Sequence, residues 1–231
     1  MTNVLLTSKP WHTEMADNLR EATGDDWVHI GNKEEFTLEH LDKINPAYIF
    51  VPHWSHLISA EIYEKYPCVI FHMTDLPYGR GGSPLQNLIA QGHTHTKISA
   101  IQCSNGIDNG PVFLKMPLSL KGTARQIFER AAIVVESMIY AIIIDDIVPV
   151  PQEGAPTIFR RRQKENSNIS SVENLDEMYD IVRMLDCEGY PQAFLNTDRF
   201  CFTFSKAVEE QDTIIAQVII TKRVLEEKLC T

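Results

Sequence analysis

The sequence predicts an α/β protein in which a mostly parallel β-sheet is flanked by helices and followed by a small α+β region. Two observations support this prediction. Short apolar segments of strand length alternate with amphipathic segments of helix length over the first half of the chain. The composition, with 44% hydrophobic and 23% charged residues, is that of an ordinary globular protein. Because strands that alternate with helices are joined by right-handed crossovers, we expect a Rossmann-like open sheet.

Short apolar segments mark the expected strands of this sheet. Four mostly apolar segments are typical of strands that are buried on both faces. They lie at residues 4–7, 27–30, 47–51 and 68–71. Two further strands are expected at residues 97–104 and 112–118, on either side of the loop sequence NGIDNG. The sheet is therefore expected to end in a hairpin-like pair.

Hydroxyl residues mark the expected starts of the helices, because a Ser or Thr side chain can accept a hydrogen bond from a free N–H group of the first turn. Thr13, Thr37 and Ser59 precede three short helical patterns. Thr123 precedes a long pattern whose apolar stripe continues to Ile142. We expect the short helices to connect the strands and the long helix to cover the sheet.

A change of composition near residue 150 predicts a boundary between two regions. Residues 148–168 are rich in proline and charge, and a helix at 175–185 and two strands at 200–206 and 213–221 are expected beyond them. We expect a larger domain at residues 1–150 and a small C-terminal α+β region at 151–231. The charged sequence FRRRQK within this segment is expected to be a solvated strand or linker, and contact with a diphosphate is the less favoured alternative.

Charge and hydropathy argue against two classes of partner. The net charge of −10 disfavours nucleic acid, whose binding depends on Lys and Arg neutralising phosphates. The most apolar stretch, residues 131–144, is shorter than the roughly 18 residues of a membrane span and contains Glu136. We therefore expect neither a nucleic-acid nor a membrane partner. The N-terminal residues do not resemble a signal peptide, so a cytoplasmic location is expected.

The five cysteines are too widely spaced to indicate a metal site or a disulfide framework. They are expected to be buried thiols, and no metal is expected. Their positions are Cys68, Cys103, Cys187, Cys201 and Cys230.

The sequence FHMTDLPYGRGGSPLQNLIAQG, at residues 71–92, directly follows a predicted strand and contains more special residues than a turn needs. In open α/β sheets, ligands bind beyond the carboxyl ends of the strands. His72 is the best candidate for chemistry, although a single His at a strand end is more often structural. Asp108, in the loop SNGIDNGP, could orient this imidazole or could be a turn residue.

The order of residues around His72 and Asp108 resembles the signature of the folate-dependent formyltransferases. In that family a strand-end NxHxSxLPxxRGxxP sequence is followed by a GxDxG loop, and this chain has Pro77, Arg80 and Gly81 at the matching positions. The separation of 36 residues between His72 and Asp108 is also that of the family. The resemblance to the methionyl-tRNA formyltransferase-like core is close over residues 47–120.

One position departs from the family pattern. The family has an Asn two residues before the His, and here that residue is Ile70. The missing amide normally helps to hold the formyl oxygen. Asn105 could replace it from the other side of the site, or it could be a turn residue. If nothing replaces the amide, His72 and backbone N–H groups must stabilise the oxyanion.

The resemblance implies direct formyl transfer without a metal. An uncharged amine would attack the formyl carbon of 10-formyltetrahydrofolate, and His72 would stabilise the resulting oxyanion. Asp108 would orient His72 and relay a proton, through water, from the amine to the folate nitrogen. Residues 1–150 would then be the formyltransferase catalytic domain.

The resemblance also suggests where the ligands bind. The folate needs a flat, mostly apolar slot with a few polar edges. Its expected contacts are Trp54, Leu57, Ile58, Ser104 and Ile107. For the amine substrate, the sequence TSKPWHTE precedes a helix start, where free N–H groups favour an anion. A packed turn is an equally good reading of that sequence. The expected substrate contacts are Ser8, Lys9, Trp11, His12, Thr74, Arg80 and Gly81.

The region after residue 150 resembles, more loosely, the corresponding region of enzymes that formylate nucleotide-linked amino sugars. The matching sequences are TIFRRRQKENSNI and YDIVRMLDCEGYPQAFL. We therefore expect an enzyme acting on a UDP- or dTDP-linked 4-amino sugar, including those related to the pseudaminic acid pathway, that could act as a homodimer. The alternative hypotheses are a methionyl-tRNA formyltransferase, a formyltetrahydrofolate hydrolase and a non-catalytic folate-binding module. The acidic charge and the short region after residue 150 count against the first rival.

Overall fold

The computed structural model of the protein describes residues 1–223, so Cys230 lies outside the described residues. The strands are β1 (Thr2–Thr7), β2 (Asp26–Ile30), β3 (Ile49–His53), β4 (Cys68–His72), β5 (Arg80–Gly81), β6 (His95–Gln102), β7 (Val112–Ser119), β8 (Ile158–Phe159), β9 (Ala193–Asn196), β10 (Phe200–Glu210) and β11 (Thr213–Lys222). The α-helices are α1 (Met15–Thr23), α2 (Leu38–Ile44), α3 (Ala60–Tyr63), α4 (Pro84–Ala90), α5 (Ala124–Ile144) and α6 (Leu175–Leu185). Two short 3₁₀ helices lie at Pro10–His12 and Lys164–Ser167.

The central sheet has six strands in the order β2-β1-β3-β4-β6-β7. The first four are parallel, β6 is antiparallel to β4, and β7 is antiparallel to β6. The predicted mostly parallel α/β sheet is therefore confirmed, and the last two strands form the expected pair. Its register places Ile101 beside Ile70 and Ser99 beside His72.

Helices cover both faces of this sheet, because successive strand residues point to opposite sides. On β1, Leu5 packs in the core cluster that contains Leu19 of α1 and Ile127 of α5. Val4 belongs to the cluster on the opposite face, together with Leu41 of α2. The sheet is thus buried on both faces, as its apolar strands predict.

Two of the predicted helix caps are confirmed and one is wrong. Thr37 accepts a hydrogen bond from the backbone N–H of His40, and Thr123 forms a capping box with Gln126 at the start of α5. The hydroxyl of Thr13 instead donates to the carbonyl of Pro10, because the preceding 3₁₀ turn moves the cap of α1 to residue 14. Ser59 occupies the cap position of α3 without a side-chain hydrogen bond.

The C-terminal region contains α6 and the three-stranded antiparallel sheet β11-β10-β9. Helix α6 packs into the main core through Ile181, Val182 and Leu185. The predicted helix and the two long strands are confirmed. Strand β8 was not predicted, and it pairs in parallel with β5 of the loop after His72. The boundary near residue 150 stays a prediction. Strand β8, which follows this boundary, pairs with β5, which precedes it.

Cys68 and Cys187 are buried as expected, whereas Cys103 and Cys201 are half-buried. Among residues 1–223, no helix combines the length and the apolar character that crossing a membrane requires.

Candidate active site

His72 ends β4, and its ring is held on both sides. It is only 7% exposed, and its Nε2 lies 2.8 Å from the carbonyl oxygen of Gly79. Because a carbonyl oxygen can only accept, Nε2 carries a hydrogen. The other nitrogen, Nδ1, lies 3.5 Å from Oδ2 of Asp108. Nδ1 is therefore the atom at which this ring can take up or release a proton towards Asp108.

Asp108 is held in place by its own loop and by the loop after His72. Its φ of 48° is in the left-handed region, which Asp tolerates better than most residues. Its Oδ2 accepts a hydrogen bond of 2.9 Å from the backbone N–H of Gly81. Its backbone carbonyl accepts another from Nε2 of Gln152, which also donates to the carbonyl of Gly110. Asp108 is thus both a turn residue and a neighbour of His72.

Gln152 joins the two loops, and sequence reasoning missed it. Its Oε1 accepts hydrogen bonds from Nε and Nη2 of Arg80, at 3.1 and 2.8 Å, while its amide nitrogen donates to the Asp108 loop. A single Gln in a proline-rich stretch carries no local signal of this kind. The predicted substrate contact of Arg80 is not supported, because Arg80 does not line the cavity described below. Arg80 instead braces the Asp108 loop.

The glycines after His72 allow the backbone around residue 159 to approach closely. A Cβ on Gly81 would lie 2.4 Å from the carbonyl oxygen of Phe159, and φ of Gly81 is 106°. Gly79 donates its backbone N–H to Oγ1 of Thr157 at 2.7 Å. These residues therefore let β8 pair with β5 while Gly81 still reaches Asp108.

Thr74, predicted to contact substrate, is completely buried. Its hydroxyl donates to the carbonyl of Gly79, the same carbonyl that holds His72. This corrects the prediction, since Thr74 has no surface to offer a ligand. It supports the loop after His72 from beneath.

A cavity of about 810 Å³ opens in front of His72 and Asp108. One wall is mainly apolar, and all five predicted folate contacts line it or its rim. They are Trp54, Leu57, Ile58, Ser104 and Ile107. Leu57 and Ile107 are 96% and 69% exposed, and the Nε1 of Trp54 is buried without a hydrogen-bond partner among the described residues. We call this side the apolar wall.

Another side of the cavity carries positive charge. Lys9, Arg161 and Arg162 line it, together with Tyr190. Burial lowers the pKa of the Arg162 guanidinium. This result changes the interpretation of the FRRRQK sequence, because two of its arginines line the candidate site instead of lying in a solvated linker. We call this side the cationic wall.

Of the predicted contacts near the N terminus, only Lys9 reaches the cavity. Ser8 is exposed and does not line the cavity. Trp11 is stacked on Phe128 at a centroid distance of 5.2 Å, with Lys9 5.6 Å from the centre of its ring. The prediction that Trp11 stacks on a base is therefore not supported, because its neighbours already pack against the ring.

His12 is also removed from the cavity. It is buried, its Nδ1 lies 2.8 Å from Oγ1 of Thr7, and burial, together with His29 and Lys9, lowers its pKa to about 4. His53, which does line the cavity, has its pKa lowered to about 3, mainly by burial and then by Lys9 and His12. Both rings are thus uncharged at neutral pH and add no positive charge to the cationic wall.

Asn105 and Ile70 define the position at which the family amide is missing. Ile70 is half-buried, lines the cavity and packs with Leu76 and Ile101. Asn105 is exposed on the rim of the cavity, and its backbone carbonyl accepts a hydrogen bond from Nδ2 of Asn109. Replacement of the amide by Asn105 stays a prediction.

Among residues 1–223, no three side chains of His, Cys, Asp or Glu are grouped to hold a metal ion.

Comparison with known proteins connects this geometry to a family. A family model described as the C-terminal domain of methionyl-tRNA formyltransferase matches residues 164–221. A methionyl-tRNA formyltransferase from Campylobacter jejuni subsp. jejuni serotype O:6 is 25% identical over 166 residues, which are 71% of this chain and 54% of that protein. The chain therefore spans about half the length of the curated relatives that it matches.

Solved structures share the fold. The formyltransferase PseJ from Anoxybacillus kamchatkensis, in complex with UDP-4,6-dideoxy-4-formamido-L-AltNAc and tetrahydrofolate, has a TM-score of 0.58 at 16% identity, over 83% of this chain and 94% of that one. This likeness concerns the fold alone. A methionyl-tRNA formyltransferase from Clostridium thermocellum has a TM-score of 0.93 at 46% identity, over 96% of this chain and 100% of that one. The chain belongs to the methionyl-tRNA formyltransferase-like family of formyltransferases.

Proposed function

We propose that the protein is an N-formyltransferase that moves a formyl group from 10-formyltetrahydrofolate to the amine of a nucleotide-linked amino sugar, such as a UDP- or dTDP-linked 4-amino sugar. The observation that carries this proposal is the placement of His72 and Asp108. Their side chains face each other across 3.5 Å at a cavity with one apolar and one cationic wall. The apolar wall suits a folate, and the cationic wall suits a phosphorylated amine.

The apolar wall fits a folate because it combines flat apolar surface with a few polar groups. Leu57 and Ile107 are exposed at the rim, where a flat ligand would cover them. The PseJ neighbour was crystallised with tetrahydrofolate. When bound, 10-formyltetrahydrofolate would supply the formyl group.

His72 would provide positive charge beside the reacting carbonyl. The hydrogen on Nε2 is engaged by Gly79, so a proton taken up at Nδ1 makes the ring a cation. This cation would stabilise negative charge on the formyl oxygen. The carbonyl of Gly79 keeps the ring in one orientation for that task.

Asp108 would handle the proton of the amine. Its Oδ2 is held by Gly81, while its Oδ1 forms no hydrogen bond within residues 1–223. Oδ1 could therefore accept, directly or through water, the proton that an attacking amine must lose, and pass it to the folate nitrogen as the bond between that nitrogen and the formyl carbon breaks. Because the Asp108 carboxylate lies close to Nδ1 of His72, a change in the charge of one group would be compensated by the other.

A second candidate is formylation of methionyl-tRNA, which the names of the Clostridium thermocellum and Campylobacter jejuni relatives favour. The net charge of −10 opposes it, because tRNA binding gains much of its affinity from basic side chains. We therefore place the small nucleotide-linked amine first.

The test is an assay with 10-formyltetrahydrofolate and a panel of acceptors, following tetrahydrofolate and formate release. Tetrahydrofolate release that depends on a UDP- or dTDP-linked amino sugar supports the proposal. Release that depends only on charged initiator tRNA would replace it with the second candidate. Formate production without any amine would indicate a hydrolase, and tight folate binding without turnover would indicate a binding module.

A further inference from the structure

The cationic wall contrasts with the charge of the whole chain. The protein carries a net charge of −10, yet among the described residues the cavity is lined by Lys9, Arg161 and Arg162 against the single carboxylate of Asp108. Among residues 1–223, none of these three cations forms an ion pair with a carboxylate. Local positive charge in an acidic protein creates a field that favours an anion at this side of the cavity.

Among the described residues, Arg162 is the cation of this set that has a buried nitrogen without a partner. Its Nη2 donates to the carbonyl of Asn166 at 2.7 Å, whereas its Nε is buried and has no hydrogen-bond partner among the described residues. An unpaired, partly buried guanidinium is costly, because desolvation is not repaid by an acceptor. An anion that binds in the cavity would supply acceptors to this guanidinium group, because Arg162 lines the cavity.

The backbone that carries these arginines is attached to the loop of the candidate active site. Gly82 donates its N–H to the carbonyl of Phe159 at 3.1 Å, and the N–H of Arg162 donates to Oγ of Ser83 at 3.1 Å. A Cβ on Gly82 would lie 2.7 Å from Cβ of Arg161. The arginine backbone is thus bonded to the two residues that follow Gly81 in the sequence. The N–H of Gly81 in turn donates to Asp108.

Lys9 reaches the cavity from a distant part of the chain. It follows β1, and its Nζ lies 5.9 Å from the ring centre of Tyr190, which also lines the cavity. The ring of Tyr190 restricts the ammonium group without neutralising it. Two forked guanidinium groups and one ammonium group form a set that is suited to phosphate oxygens.

We propose that Arg161 and Arg162, assisted by Lys9, bind the diphosphate of the acceptor and so place its amine beside His72 and Asp108. This inference rests on the proposed function, and it assigns the recognition of a phosphorylated acceptor to residues after the central sheet. The arginines act in binding, and they take no part in moving the formyl group or the proton.

Arg160 provides a matched control. It has the same charge and adjoins the pair in sequence, but it is exposed and does not line the cavity. The experiment measures the Kd of UDP and of inorganic pyrophosphate by calorimetry for the wild type and for Arg160→Gln, Arg161→Gln, Arg162→Gln and Lys9→Gln. Thermal unfolding of each variant confirms that it is folded.

We expect Arg162→Gln to raise both Kd values at least about tenfold, in line with the loss of one charge-assisted contact. Arg161→Gln and Lys9→Gln should raise them less, and Arg160→Gln should leave them unchanged. Equal effects of Arg160→Gln and Arg162→Gln would overturn the inference, as would unchanged Kd values in Arg162→Gln. Weaker binding of charged initiator tRNA alone, with UDP and pyrophosphate unaffected, would also overturn it.

These outcomes are separable from those of the proposed function. Binding of pyrophosphate needs no turnover, so a site that depends on Arg162 in a protein without amino-sugar activity would contradict only the proposed function. Formylation of a nucleotide sugar with an unchanged KM in folded Arg162→Gln would contradict only the diphosphate site.

Discussion

The two walls of the cavity are built in different ways. The apolar wall comes from two loops, at residues 54–58 and 104–107, that follow strands β3 and β6 of the central sheet. The cationic wall combines Lys9, after β1, with residues 161–162 and 189–191 of the C-terminal region. The side that we propose to bind the folate therefore belongs to the sheet, whereas the side that we propose to bind the acceptor also needs residues of the C-terminal region.

The largest effect is expected for His72 and Asp108, because the cavity that contains both walls opens in front of them. Replacing His72 with Ala, or Asp108 with Ala, should lower kcat at least about 100-fold, because charge stabilisation or proton transfer is lost for every acceptor. The fold should survive, as measured by circular dichroism. His95→Ala is the control, since His95 is exposed and lies outside the cavity. Near-normal kcat in either site variant would contradict the assignment.

The junction of the walls should be sensitive to a single added methyl group. Gly81→Ala would place a Cβ 2.4 Å from the carbonyl oxygen of Phe159, so β5 and β8 must separate. We expect a loss of free energy of unfolding of about 3 kcal/mol, and reduced activity. Gly24→Ala is the matched control, because Gly24 also has a positive φ but has no atom within 4 Å of its Cβ position.

Gly24→Ala should cost only about 1 kcal/mol, the usual penalty for a side chain in the left-handed region. Chemical denaturation measures both values. Equal losses in the two variants would mean that the contact with Phe159 relaxes, and that the two walls are less tightly joined than the structure indicates.

A crossed pair of variants would compare the two walls directly. Leu57→Ala removes exposed apolar surface from the folate side and should raise KM for 10-formyltetrahydrofolate by about fivefold, in line with the burial of a Leu side chain on binding. Lys9→Ala should raise KM for the acceptor to a similar extent and leave kcat nearly unchanged, because Lys9 is proposed to act only in binding. Steady-state kinetics with each substrate varied in turn would show whether the effects stay on separate sides. An increase in both KM values in both variants would argue against independent walls.

The smallest effect is expected at Asn105. If its amide replaces the one missing at Ile70, Asn105→Ala should lower kcat more than it changes KM. We expect about a threefold decrease, because Asn105 is exposed on the rim and its contact is not preorganised. Asn109→Ala is an informative companion, since Asn109 holds the same loop through the carbonyl of Asn105. An unchanged kcat in Asn105→Ala would leave stabilisation of the oxygen to His72 and the backbone.

Much of the fold could be predicted because its patterns are local. The apolar segments of β1 to β4 lie close to their predicted positions, and α6 occupies residues 175–185 as expected. A buried strand or an amphipathic helix requires a periodic arrangement of apolar residues, which can be counted along the chain. The prediction that Thr13 caps α1 was wrong, because its hydroxyl group donates to the carbonyl of Pro10 in the preceding turn.

The candidate site could be predicted only in part, for a related reason. His72, Asp108 and the apolar wall were found because their spacing and loop context resemble a known family. Gln152 was missed and the cavity-lining arginines were given only as the less favoured alternative, since their positions depend on contacts with residues more than 40 positions away. The predicted contacts of Trp11 and Thr74 failed because the side chains are packed against Phe128 and Gly79.

The sequence by itself determined which segments form strands and helices, and which His and Asp lie at the ends of strands. Both follow from periodicity and from the order of residues, which are properties of neighbouring positions. Only the tertiary structure decided which cations meet at the cavity, and that one of three consecutive arginines lies outside it. Those outcomes depend on how β8 pairs with β5 and how the C-terminal region packs, because the free energy of a charge is set by the groups that surround it in space.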